Sequence, residues 1–245
     1  MQRARRLASA VVAAALTVGG LSACRSAPSV AAYIGDEKIS VAEVQRIYDD
    51  AQRKQAAQPA AEGASAAPAA PPSVTMPDVV SAIISQRVVA QVAQARNVKL
   101  PAEVPLQEIG ASLSLAADAE YVRLYGESRL LLNELLQAAQ PGTPPDADVQ
   151  HVFDVFETTG QMKPGLTYQE FKSSVSPEAL QTLGKALNVK KDVQAEADKL
   201  DLRINPRFGD AEIPVYVENG PDNKPLNLVS VSLADSDAAS VIDKS

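Results

Sequence analysis

The chain has 245 residues, 46% of them hydrophobic but only 4% aromatic, with no tryptophan and a formal net charge of −7. An acidic balance of this size excludes the electrostatic footprint of a nucleic-acid binder. A single cysteine and a single histidine leave no internal disulfide and no His/Cys metal constellation, so stability has to come from packing.

Residues 1–23 read as a secretory signal. Arg3, Arg5 and Arg6 form a basic head, and Leu7–Gly20 is an apolar Ala/Val/Leu run. That run falls short of the roughly 20 residues a transmembrane helix needs. Leu21-Ser22-Ala23-Cys24 follows, and it resembles the lipobox of bacterial lipoproteins. The resemblance implies cleavage before Cys24 and a diacylglycerol on its thiol, with the body held to the extracytoplasmic face of the cell membrane by lipid. Each buried acyl methylene is worth about 0.8 kcal/mol. Loss of residues 1–23 removes three arginines and no acid, so the remaining body is more acidic still. Residues 24–29 form the tether.

Val30 to Ile34 is short and apolar, and Gly35-Asp36 before Glu37-Lys38-Ile39 signals a tight turn, which predicts a small hairpin. Ser40 followed by Glu43 is a capping box opening a helix, with Val44, Ile47, Tyr48 and Ala51 as its buried stripe. From 55 to 75 the chain becomes Ala/Pro-rich, without Leu, Ile or an aromatic; this composition predicts a mobile spacer that lets a cradle open.

Thr75 caps a long predicted helix to about Asn97, with Val80, Ile83, Ile84, Val88 and Val92 on its apolar face. A shorter helix begins at or after Glu103. Asp118 to Gln140 carries the strongest helical period, through Tyr121, Leu124, Tyr125, Leu131, Leu132, Leu135 and Leu136. Asp146 or Asp148 is expected to cap the next helix, whose stripe is Val149, Val152, Phe153 and Phe156. Thr167 caps a short helix with Tyr168, Phe171 and Val175. Ser176-Pro177-Glu178 opens the last helix, running to about Leu200 with a bend near Asn188. Leu202–Asn205 alternates as a strand, a natural antiparallel partner for Val30–Ile34. Residues 218–227 are expected to be loop, Leu228–Leu233 a weak strand, and the last dozen residues disordered. The fold class is therefore mainly α, a helical domain over 30–217 with a small β ribbon joining the two chain ends, followed by a tail at 218–245.

Two segments carry a family resemblance. Ala31-Ala32-Tyr33-Ile34-Gly35-Asp36-Glu37-Lys38-Ile39-Ser40-Val41-Ala42-Glu43-Val44 resembles the opening of the SurA N-terminal domain, a helical chaperone module of extracytoplasmic folding factors. Leu202-Arg203-Ile204-Asn205-Pro206-Arg207-Phe208-Gly209 is similar to the strand near the end of actinobacterial SurA-like lipoproteins. Many members add a parvulin-type prolyl isomerase domain; here residues 143–200 read as helices, which leaves no room for one. The resemblance implies holdase work on unfolded or exported polypeptides in an apolar helical groove, with no isomerase activity, no cofactor and no catalytic residues to carry over. A dedicated cell-envelope partner bound by the same groove is the alternative.

No other constellation points to chemistry. His151 has no nucleophile in a recognisable elbow beside it and reads as a structural or surface residue. Asp49-Asp50 point apart on a helix, Asp235 and Asp237 do not match a calcium loop, and Asn205-Pro206-Arg207 reads as the end of a strand rather than a binding motif.

Overall fold

In the computed structural model, residues 28–56, 74–209, 211–220 and 225–233 are described. The signal, Cys24, most of the 55–75 spacer, Asp235, Asp237 and the end of the tail lie outside them. The fold is mainly α. Among the described residues seven α-helices, α1 (Val41–Ala56), α2 (Met76–Ala95), α3 (Leu106–Ser112), α4 (Glu120–Ala138), α5 (Asp146–Thr158), α6 (Tyr168–Ser174) and α7 (Pro177–Lys199), are accompanied by five short strands. The strands are β1 (Val30–Ile34), β2 (Glu37–Ser40), β3 (Arg203–Ile204), β4 (Glu212–Asn219) and β5 (Pro225–Ser232).

The helix α2 is the hub. Its Val79-Val80, Ile83-Ile84 and Val88-Val89 pairs make it apolar around most of its circumference, as befits a helix buried on several sides. It packs against α1, α4, α7, β1 and β4. The single face expected for it thus covers only part of what it buries: Val79 and Val89 are as fully enclosed as Val80 and Ile84. Thr75 and Asp78 close a reciprocal capping box at its start.

The two chain ends meet as the alternation suggested. Sheet order is β2-β1-β3, with β1 antiparallel to both neighbours; Ala32 faces Ile204 and Tyr33 faces Arg203. All five β1 residues are buried. Asn205, 1% exposed, fixes the join: its Nδ2 donates to the Val30 carbonyl at 2.9 Å and its Oδ1 accepts from the Arg207 amide at 3.2 Å. The Arg207 guanidinium donates to the Pro28 carbonyl at 2.9 Å, so the last residues of the tether are tied down.

Two local expectations need correction. Pro145, not Asp146 or Asp148, sits at the cap of α5 and makes no side-chain cap; Asp146 instead bonds Tyr168 and Lys172 of α6. The last helix is unbroken at Asn188, whose side-chain amide donates to the Gln140 carbonyl at 3.0 Å. The segment 218–227 is not all loop, because β4 and β5 form an antiparallel hairpin in which Glu218 faces Leu226 and Asn219 faces Pro225. Ile213, Val215 and Val231 are fully enclosed, so the core extends to Leu233, past the 217 boundary read from composition. Pro214 interrupts the alternation of Ile213, Val215 and Val217 and masks the strand signal.

Candidate functional site

The hairpin β4–β5 stands between two groups of helices, α2 and α4 on one side and α5 and α7 on the other, and leaves a cleft with each.

The cleft with α5 and α7 is apolar. Alpha5 contributes Val149, Val152 and Phe156, α6 and its C-cap Phe171 and Val175, α7 Leu180 and Leu183, and the hairpin Tyr216 and Leu228. The open volume is about 380 Å³. The i, i+3, i+7 spacing of Val149, Val152 and Phe156 puts one stripe of α5 along the floor. Phe156, Phe171, Val175, Leu180 and Tyr216 are only half-buried, so greasy surface is presented in the groove. The Tyr216 hydroxyl donates to the Glu218 carboxylate, which keeps the polar end of that ring satisfied. Burial, and secondarily this bond, pushes the Tyr216 phenol well above its ordinary pKa.

Its outer wall is an arm made of α5 and α6. Phe153 lies under Tyr168 and Phe171, with ring centroids 5.7 and 5.5 Å away, and Phe156 meets Phe171 at 6.2 Å. The Tyr168 hydroxyl donates to Asp146 at 2.6 Å, which raises the phenol to about 12; the Lys172 ammonium, and secondarily this hydroxyl, hold the Asp146 carboxyl below its usual range. Thr167 and Glu170 form a capping box that starts α6. Alpha6 buries no residue of its own and packs on α5, so the arm is the least anchored wall of the groove. Gly160 and Gly165, both at positive φ, lie in the loop that folds α6 back on α5. Among the described residues none of α1 or α2 lines this groove; the spacer expected to open a cradle lies largely outside those residues.

The cleft with α2 and α4 mixes polar groups with apolar surface. Asp78, Ser81 and Ser85 of α2 face Tyr121, Tyr125 and Arg129 of α4 across about 340 Å³, and Glu212 and Asn227 of the hairpin close the third side. Tyr121 and Tyr125 stack with centroids 6.1 Å apart. Burial, with Asp78 and Tyr125 nearby, raises the Tyr121 phenol far above its usual value. The Arg129 guanidinium donates to the Pro214 carbonyl at 3.1 Å, and among the described residues no carboxylate lies within 4.0 Å of it. Nothing in the sequence reading singled out this grouping, because its residues come from three elements and each alone looks like an ordinary helix face.

The other residues considered fall apart spatially. His151 is exposed on α5. Asp49 accepts from Gln45, whereas Asp50 turns toward α4, accepts the Glu120 amide at 3.0 Å and pairs with Lys54 at 3.3 Å. Asp50 thus supplies from α1 the cap that Ala119 cannot give α4. Arg46 and Glu120 form a two-pronged ion pair beside it. Among the described residues no group of three or more His, Cys, Asp or Glu side chains gathers as a metal site, and no helix is long and apolar enough to cross a membrane. Comparison of the chain with protein-family models, with curated proteins and with solved structures returns no match.

Proposed function

We propose that this chain is a lipid-anchored, SurA-like chaperone or chaperone-derived module that holds exported polypeptides and transforms none of them. The observation that carries the reading is the apolar groove between the α5–α6 arm, α7 and the hairpin. An extended client lays two or three apolar side chains against Phe156, Val175 and Leu180. Burying one large side chain is worth about 1.5–3 kcal/mol, and the entropy of ordering the client removes part of that gain. The balance is a weak, readily reversed complex, which is what a holdase needs. The helices over 146–199 and the strand pairing of the chain ends are in keeping with the SurA-like resemblance. Three residues separate Cys24 from the clamped Pro28, four Cα–Cα steps or at most about 14 Å of extended chain, so acylation at Cys24 would hold the body close to the lipid surface.

The test is suppression of aggregation of an unfolded exported protein at near-stoichiometric amounts. Leu180→Lys, which places a charge in the groove, should abolish it; no suppression by the unaltered chain refutes the reading. A pull-down returning one stoichiometric protein instead of many unrelated clients would favour a dedicated scaffold. Anchoring is read separately: the mature chain should enter the detergent phase on partition and a Cys24→Ala variant should not.

A further inference from the structure

Helix turns that face a neighbouring element normally present apolar side chains to it. In the cleft between α2, α4 and the hairpin, polar side chains stand among them. Tyr121 is 7% exposed and Ser85 is 6% exposed, yet among the described residues neither hydroxyl has a hydrogen-bond partner, and both side chains line the cleft. Neither oxygen is sealed in the core: both open onto the cleft, where water or a ligand satisfies them, and the space there is large enough for more than a single water. Asp78 uses Oδ2 to cap α2 through the Thr75 amide and hydroxyl, which leaves Oδ1 without a partner. Arg129 spends one N–H on the Pro214 carbonyl and keeps the rest of its donor fork.

The charges narrow the occupant. A free anion would meet Asp78 and Glu212, and a free cation would meet Arg129. An apolar molecule would leave the Tyr121 and Ser85 hydroxyls stranded. Acceptor-only carboxylates, a donor-only guanidinium and two-way hydroxyls on one wall are matched by a neutral molecule whose polar points each donate and accept. Ala82, Leu132 and Val217 supply apolar surface between the polar groups, as for a ligand with a carbon face and a hydroxylated rim. We propose that this cleft binds a neutral polyhydroxylated molecule of about one sugar ring, its hydroxyls shared among Tyr121, Ser85, Asp78 and Arg129. The site is separate from the apolar groove and does not depend on the polypeptide-binding reading.

The purified full chain is titrated calorimetrically with N-acetylglucosamine, glucose and myo-inositol. Acetate, ethylammonium and toluene serve as anionic, cationic and apolar counterparts. A saturable response to at least one of the three polyols and to none of the counterparts is expected. Tyr121→Phe and Ser85→Ala, each removing one hydroxyl, should weaken it at least tenfold, whereas Leu180→Lys in the apolar groove should leave it unchanged. No saturable polyol binding, a response to acetate or toluene at least as tight, or parental affinity in both hydroxyl variants would overturn the proposal and leave the cleft as a hydrated crevice.

Discussion

Replacing Gly184 by alanine should damage the protein, against the general trend. Inside a helix, Gly→Ala ordinarily stabilises by about 1 kcal/mol. Gly184 lies in the middle of α7, where the chain before α5 crosses it. A Cβ built there would stand 1.9 Å from the Gly142 carbonyl oxygen and 2.8 Å from the Gly142 nitrogen. Both obstacles are backbone, so no rotamer change relieves them. Helix and crossing chain must separate, at a cost toward the upper end of the roughly 1–3 kcal/mol seen for overpacking. The separation also breaks the Asn188–Gln140 hydrogen bond, worth about 1 kcal/mol. With the propensity gain set against these losses, the expected net effect is a destabilisation of about 3 kcal/mol. For a domain of this size that lowers Tm by roughly 6–12 °C. Urea and thermal unfolding followed by far-ultraviolet circular dichroism measure it. Gly142→Ala is the internal control: its Cβ would meet the Asn188 side-chain nitrogen at 3.3 Å and the Gly184 carbonyl oxygen at an ordinary contact distance of 3.7 Å, so it should cost far less than Gly184→Ala. A Gly184→Ala protein as stable as the parent, or two variants of equal effect, would refute the close approach of α7 to residue 142.

Other outcomes can be stated briefly. Asn205→Ala removes the donor to Val30 and the acceptor for the Arg207 amide, and should cost about 1–3 kcal/mol in urea unfolding. Thr75→Ala dissolves the box that starts α2 and should cost about 1 kcal/mol by the same measurement. Arg46 holds the Glu120 carboxyl below its ordinary range, so the folded state binds that proton less readily than the unfolded chain. The stabilisation is therefore present above the unfolded value near 4.3 and is lost as pH falls through the depressed folded value. Glu120→Gln should flatten the acid limb of the Tm-against-pH curve relative to the parent; identical acid limbs would count against the pair.

The sequence was most legible where one element carries its own signal. The Thr75 and Thr167 caps, the Ser176-Pro177 start and the period of α4 are local, and the structure has each of them, with the two threonine caps completed into reciprocal boxes by Asp78 and Glu170. The pairing of Val30–Ile34 with Arg203–Ile204 could be anticipated because two short apolar strands at opposite ends of a helical chain need a partner. The β4 strand was hidden by Pro214, whose carbonyl is taken by Arg129 instead of by a further strand. Gly184 was unreadable for a different reason: what it touches lies on another segment, and nothing within α7 records that contact. The same holds for both clefts. Val149, Val152, Phe156 and Leu180 each announce a buried helix face, but that those faces leave room between them follows from where the hairpin stands. Asp50 looked like a solvated acid until α4 was seen to begin at its carboxylate.

The central place of β1 has a temporal consequence. One of its flanking strands is made within a few residues of it, but the contact that locks the other edge, from Asn205 to Val30, spans 175 positions of sequence. At about 5–20 residues per second of synthesis, that interval is roughly 9–35 s. Throughout it, a strand with no exposed residue in the finished protein keeps one unpaired edge. Closing so long a loop is among the slower steps available to a helical chain. Refolding in which most of the helical signal returns quickly, while protection of the β1 amides from hydrogen exchange lags behind, would be the kinetic trace of a protein whose first-made strand is finished last.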